Sequence, residues 1–312
     1  MRSHLAALAA GVWLASTAGT ASRAAAQTEI TITVHAVVQD SSGARVRNLA
    51  RDDFEILTDG QPRPLAEFSA EEPPLSMVLL IDVSVSTIPR IPGAIESSFG
   101  PESVANAVES MTQRLRPGDR VRVGSTGAHV TIGQAFLTLP KQVADAAAAA
   151  IEAPPAERHG PSPVWDAIDA GVTALDKEPG RRGILILTDG RATGNRRSLA
   201  YAAQRASIGR TTVTAVSPPS TRVLRVTDKT AIRVEPGALL QRLADFTGGL
   251  FLPHTPEPGG TVDMLFERGL NDLRECYTLT FRVPPDGRLH ALDVRVKKPG
   301  LVVRSRRVFL SE

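Results

Sequence analysis

Met77-Val78-Leu79-Leu80-Ile81-Asp82-Val83-Ser84-Val85-Ser86 decides how this chain folds. Its first five residues are apolar without alternation, the pattern of a strand buried on both faces of a sheet. The run ends on a carboxylate, and hydroxyls follow at alternate positions. In an open α/β sheet, ligands bind in the crevice at the carboxyl ends of the strands. Asp82, Ser84 and Ser86 therefore set hard oxygen donors at a strand end, a set that suits Mg²⁺, Mn²⁺ or Ca²⁺ and not a soft metal. Taken alone, the same stretch also reads as an Asx or Ser turn capping the next helix.

A second stretch strengthens the first reading. Residues 184–187 form another apolar strand, and Thr188-Asp189-Gly190 follows it. Asp189-Gly190 alone is a plain turn. Two buried strands that each deliver an aspartate to the same sheet edge say more than either does alone. The region around them alternates strand and helix. Helical spacing covers 103–115, 142–151, 165–175, 198–207, 239–246 and 262–273. Strand patterns cover 120–123, 128–132 and 211–216. This βαβ rhythm predicts a doubly wound, mainly parallel, Rossmann-like sheet with helices on both faces.

Outward from this domain the pattern is all-β. On the amino side, 29–38 alternates apolar and polar residues, and 54–57 and 65–68 are short strands around the Asp59-Gly60 turn. Pro73-Pro74 marks the boundary. After Glu275, strands are expected at 277–283, 289–296 and 302–310. Each flank has one apolar face and too few strands to stand alone. The expected architecture is an α/β domain at 73–275 inserted between β segments 27–72 and 276–312, which pack together as one small β-sandwich. Lys297, Lys298, Arg304, Arg306 and Arg307 alternate with apolar positions and read as a solvated strand face. The Arg181-Arg182 and Arg196-Arg197 pairs read as solvated element ends.

Residues 1–26 read as a cleavable secretory signal: Arg2 and His4, an apolar run from Leu5 to about Ala21, then Ala24-Ala25-Ala26. An uncleaved anchor is the alternative, because the run approaches the length of a span. The expected location is secreted or periplasmic, with no integral span after cleavage. The chain of 312 residues is 42% hydrophobic and 22% charged, which excludes a collagen-like or long disordered protein. Aromatics at 4% argue against a base-stacking surface, so no nucleic-acid partner is expected. Loss of the leader removes Arg2 and Arg23 and leaves basic and acidic residues nearly balanced. Cys276 is the sole cysteine, which excludes an internal disulfide and a Cys-based zinc site. The six histidines do not cluster; His159, close to Ser162 in sequence, reads as an exposed loop residue.

Asp82-x-Ser84-x-Ser86 after an apolar strand, with the later Thr188-Asp189-Gly190, resembles a von Willebrand factor type A domain over roughly 75–253. Such domains carry a metal-ion-dependent adhesion site. The family's intervening Gly-Gly-Thr and helix start correspond here to Gly160-Pro161-Ser162-Pro163-Val164-Trp165-Asp166-Ala167. Ser162 falls at the family's threonine, keeping the hydroxyl and losing the methyl. The resemblance implies a metal set of Asp82, Ser84, Ser86, Ser162 and Asp189 holding one divalent cation, with Mg²⁺ first and Mn²⁺ or Ca²⁺ as alternatives. Asp52-Asp53-Phe54, Asp59-Gly60, Thr247-Gly248-Gly249 and the Tyr277-Thr278-Leu279 ending are similar to secreted bacterial type A proteins first grouped in Acidobacteria. That group usually ends in an Arg-x-Gly-Tyr-like tail, from which Arg306-Arg307-Val308-Phe309 departs.

These residues imply binding and not catalysis. A haloacid-dehalogenase-type phosphatase also opens on a strand and an aspartate, but it needs a second aspartate two residues later, and position 84 is Ser. Esterase, zinc-protease and phosphate-loop motifs are missing from the sequence. Serine hydroxyls are neutral, and two aspartates, one or both bridged by water, leave a divalent cation short of charge, so an Asp or Glu from a protein partner can complete its shell. The expected role is a non-enzymatic adhesion module. A structural envelope module whose site is empty or only stabilising is the alternative.

Overall fold

The computed structural model describes residues 29–90, 99–219, 235–255 and 260–312. The leader expected at 1–26 lies outside them. The amino flank holds β1 (Ile30–Gln39), β2 (Phe54–Thr58), β3 (Gln61–Arg63) and β4 (Leu65–Ser69). The α/β region then runs β5 (Leu75–Asp82), α1 (Pro101–Thr112), β6 (Arg120–Thr126), β7 (Val130–Ile132), α2 (Pro140–Ile151), α3 (Pro155–Arg158) and α4 (Val164–Leu175). It continues with β8 (Arg181–Leu187), α5 (Leu199–Ile208), β9 (Thr211–Ser217), α6 (Pro236–Thr247), β10 (Phe251–Pro253) and α7 (Val262–Arg274). The carboxyl flank holds β11 (Tyr277–Val283), β12 (Leu289–Val296), β13 (Val302–Arg304) and β14 (Val308–Leu310).

The central sheet has the order β10-β9-β8-β5-β6-β7 and is parallel except for β7, which turns back antiparallel on β6. Every residue of β5 is buried because it feeds two cores. Leu75, Met77, Leu79 and Ile81 join the core under α1, α2 and α7. Val78 and Leu80 join the core under α4, α5 and α6. In β8, Leu185 and Leu187 face the first core while Ile184 and Ile186 face the second. This explains the unbroken apolar runs: helices cover both faces, so neither register can be polar. From β5 the chain crosses to β6 on one side; from β8 it crosses to β9 on the other. The strand order thus reverses between β5 and β8, and the crevice at their carboxyl ends is the topological switch point.

Strands of the two flanks combine in two further four-stranded sheets, alternating in β13-β1-β11-β4 and lying pair beside pair in β14-β12-β2-β3. β1 pairs antiparallel with β11 from Ile30↔Val283 to Ala36↔Tyr277, and β2 pairs with β12 from Phe54↔Val296 to Thr58↔Leu292. The inward residues of both sheets share one core that includes Ile32, Val34, Phe54, Ile56, Leu279, Phe281, Val294 and Phe309. The flanks therefore form a β-sandwich whose strands come from both ends of the chain.

The sandwich docks on the C-terminal ends of the helices. Arg306 donates to the Ser207 carbonyl in α5 and to the Thr33 carbonyl in β1, and Arg307 N–H donates to the Phe246 carbonyl in α6. Asp272 of α7, fully buried, takes Arg45 and Arg304 from the sandwich and the Thr214 hydroxyl from β9. Burial alone would raise the Asp272 carboxyl, but the two guanidiniums outweigh it and hold its pKa low. Helices in this kind of sheet run opposite to its strands, so this interface lies at the strands' amino ends. It is the edge away from the switch point.

Three expectations need correction. Residues 302–310 are two strands, not one, because the chain bends at 305–307 to send Ser305 and Arg306 into the junction. Arg304 and Arg306 therefore belong to the interface and not to a solvated face. Arg181 and Arg182 are buried as well. Arg181 Nε donates to the Leu273 carbonyl and Arg182 Nη1 to the Gly209 carbonyl, so carbonyls at helix ends take the place of water. Among the described residues, no helix is long and apolar enough to cross a membrane.

Candidate metal centre

β5 and β8 are adjacent, paired in parallel from Leu75↔Arg181 to Ile81↔Leu187. Their carboxyl ends therefore set Asp82 and Asp189 side by side at the switch point. Asp82 is 0% exposed and Asp189 4% exposed. Ser84 N–H donates to Asp82 Oδ1 at 3.0 Å, and the Thr188 hydroxyl donates to Asp82 Oδ2 at 2.7 Å. Each carboxylate oxygen of Asp82 is thus fixed by one protein donor and retains a further lone pair. Burial pushes the Asp82 carboxyl up; the bonds from Ser84 and Thr188 oppose this, and the charge of Asp189 adds to it. A carboxylate kept ionised here would favour a positive charge nearby.

The hydroxyls form a chain around this pair. Ser84 Oγ lies 3.2 Å from Ser86 Oγ and donates to Thr87 Oγ1 at 3.3 Å. Thr87 Oγ1 also accepts the Asp189 N–H at 3.2 Å, which ties the first loop to the second. Ser84 is buried and Ser86 exposed, so the row runs from the interior to the surface. The loop itself is held by Val83 N–H on the Thr126 carbonyl and Val85 N–H on the Arg158 carbonyl. Gly190 sits at φ +76°, where a Cβ would meet the Pro236 carbonyl oxygen at 2.8 Å. Only glycine lets the chain turn sharply after Asp189.

Ser162 is tied to the loop after Asp189. Ser162 N–H donates to Thr193 Oγ1 at 3.0 Å, and Thr193 N–H returns a bond to the Ser162 carbonyl at 2.9 Å. The same loop caps α4: Asn195 Oδ1 accepts the Trp165 N–H, and Asp166 accepts the N–H groups of Arg196 and Arg197. No hydrogen bond links Ser162 directly to Asp82, Ser84, Ser86 or Asp189. Its Oγ is buried with no hydrogen-bond partner. A buried hydroxyl without a protein partner is left for water or an ion to satisfy.

The donor set fits a hard divalent cation: two carboxylates, two neighbouring serine hydroxyls and one orphaned hydroxyl, all oxygen. Among the described residues no group of three or more His, Cys, Asp or Glu is placed to hold a metal ion. His159 is exposed, and His129 is engaged by Glu157 at 2.7 Å. Thr87, Thr188, Thr193, Asn195 and Arg191 escaped the sequence reading as site residues. Thr188 alone carried a signal, as the first residue of Thr-Asp-Gly. Thr87, Thr193 and Asn195 act across loops and show no local pattern, and Arg191 acts within the Asp189 turn without a motif of its own.

No family model matches the sequence, and no curated protein matches it. Solved structures of similar fold include the von Willebrand factor type A protein from Catenulispora acidiphila, at 13% identity and TM-score 0.49, covering 89% of this chain and 72% of that one. An aerotolerance-related membrane protein from Bacteroides fragilis is similar at 12% identity and TM-score 0.48, over 64% of this chain and 98% of that one. Proximal thread matrix protein 1 from the mussel byssus, solved with a zinc-occupied MIDAS motif, is similar at 12% identity and TM-score 0.45. That match covers 70% of this chain and 49% of the mussel chain.

Proposed function

We propose that this protein is a non-enzymatic binding module that holds one divalent cation at the β5–β8 crevice and uses it to capture a carboxylate on a protein partner. The observation that carries the reading is the pair of strand-end carboxylates, Asp82 and Asp189, almost wholly buried and ringed by hydroxyls. Asp82, Ser84, Ser86, Ser162 and Asp189 would supply the ligands, directly or through water. Mg²⁺ is favoured, and the same oxygens accept Mn²⁺ or Ca²⁺.

The case against catalysis is chemical. Asp82 has the place of a nucleophile, but the residue two positions on is Ser84, which cannot serve as a general acid. Binding needs only charge. With one or both carboxylates reached through water, a divalent cation is left short of directly bound charge, and an external Asp or Glu would add both charge and an oxygen ligand. The sandwich grips the opposite edge of the sheet, so it would act as a stalk that leaves the cation edge free. The apolar leader read at 1–26 supports an exported protein working at a surface or in the periplasm.

The test is capture of proteins from envelope or culture extracts on immobilised protein, with Mg²⁺ or with chelator. A partner retained only with the cation, and released by a short acidic peptide, is the expected result. Equal capture in chelator, or none displaced by the peptide, contradicts a metal-bridged carboxylate.

A further inference from the structure

Asp189 is already paired within its own turn. The backbone N–H of Arg191 donates to Asp189 Oδ1 at 3.0 Å, and Arg191 Nε lies 3.3 Å from Asp189 Oδ2. One residue therefore sets a backbone hydrogen bond on one oxygen of the carboxylate and an ion-pair contact on the other. The Asp189 side chain is 5% exposed and that of Arg191 24%. Water cannot carry the charge of so enclosed a carboxylate, and Asp82 adds a second negative charge beside it. Among the described residues Arg191 is the one cation paired with Asp189.

The geometry points to Arg191 as a built-in counter-ion that occupies Asp189 when no divalent cation is bound, and that must yield when one arrives. This deepens the cation reading above and rests on it. A divalent ion and a guanidinium both seek the lone pairs of Asp189, and their like charges repel at this range. The arginine would keep the metal-free site from being torn apart by two facing carboxylates, and would weaken cation affinity in return. Its partial exposure gives the guanidinium a way out into solvent, whereas a fully buried arginine would have none.

The test compares wild type, Arg191→Gln and Arg191→Lys by calorimetric titration with Mn²⁺ and by thermal melting with and without Mn²⁺. Glutamine removes the charge and keeps most of the stem. It should bind Mn²⁺ at least about tenfold tighter than wild type. Its metal-free form should melt below wild type, and saturating Mn²⁺ should close that gap. Lysine keeps the charge but not the rigid planar fork, and should fall between the two. Equal or weaker Mn²⁺ binding in Arg191→Gln, beside a wild type that binds, overturns this inference alone. So does an equal drop in melting temperature with and without Mn²⁺, which is what a merely structural arginine would give. Absence of binding in all three proteins overturns both this inference and the cation reading.

Discussion

At the scale of single residues, the site is a problem of unpaid charge. Asp82 is buried with two donors and a second carboxylate for company. Replacing it by asparagine removes a charge that burial disfavours and keeps the shape. Metal-free Asp82→Asn should therefore melt no lower than wild type, and about 2–4 °C higher if about 1 kcal/mol is recovered. The same change should abolish cation binding. Melting curves with and without Mn²⁺ check both halves, and a less stable metal-free variant would mean the carboxylate is not strained. Asp82, Ser84, Ser86 and Asp189 could be picked from the sequence because each follows an apolar strand at fixed spacing. Thr87 and Thr193 could not, because their value lies in contacts between loops that no local pattern encodes, and Arg191 could not, because an arginine two residues after an aspartate forms no motif.

At the scale of elements, β5 and β8 were legible because both lie between two helical layers, and two-sided burial leaves an unbroken apolar run. Leu80 faces the core under α4, α5 and α6 and is fully buried. Leu80→Ala should cost about 2–5 kcal/mol, read from denaturant unfolding. The three residues of β10 and four of α3 were not legible, because elements so short show no period. The start of α4 depends on another loop: Asn195 caps it from thirty residues away. Asn195→Ala should cost about 0.5–2 kcal/mol, as loss of an N-terminal cap does. It should also weaken cation binding, since the loop that holds Asn195 also holds Ser162. Stability loss with unchanged Mn²⁺ affinity would separate the cap from the site.

At the scale of the whole molecule, the sequence reading placed one apolar face on each flank and required the two to meet. It could not tell how their strands alternate, because alternation names a face and not a neighbour. Nor could it tell that arginines would fill the junction, since a guanidinium capping a buried helix end looks the same in sequence as one in water. Asp272 is the pivot, and Asp272→Ala would leave Arg45 and Arg304 enclosed without their partner. Breaking such a pair should cost about 3–5 kcal/mol, with the loss felt by both halves of the protein. His35 lies in the same junction, 3.3 Å from Thr278 Oγ1 and 3.8 Å from Cys276 Sγ. Burial first, then the charges of Arg181, Arg306 and Arg210, hold its pKa well below the ordinary 6.5. The unfolded chain thus takes up a proton near pH 6.5 that the folded chain refuses. Stability from this group is complete above about pH 6.5 and falls as the pH drops toward the depressed folded value. Melting temperature should fall more between pH 7.5 and 5.5 in wild type than in His35→Gln; equal slopes would remove His35 from the account.

All three scales meet in one experiment, calorimetric titration of the metal-free mature protein with Mn²⁺. The strand-end carboxylates and their hydroxyls should bind close to one ion per chain. Asp82→Ala combined with Ser84→Ala should show no such binding while its circular dichroism stays that of a folded protein. A folded double variant that binds Mn²⁺ with the same affinity and stoichiometry as wild type would place the cation elsewhere and contradict the reading of this crevice as a metal centre.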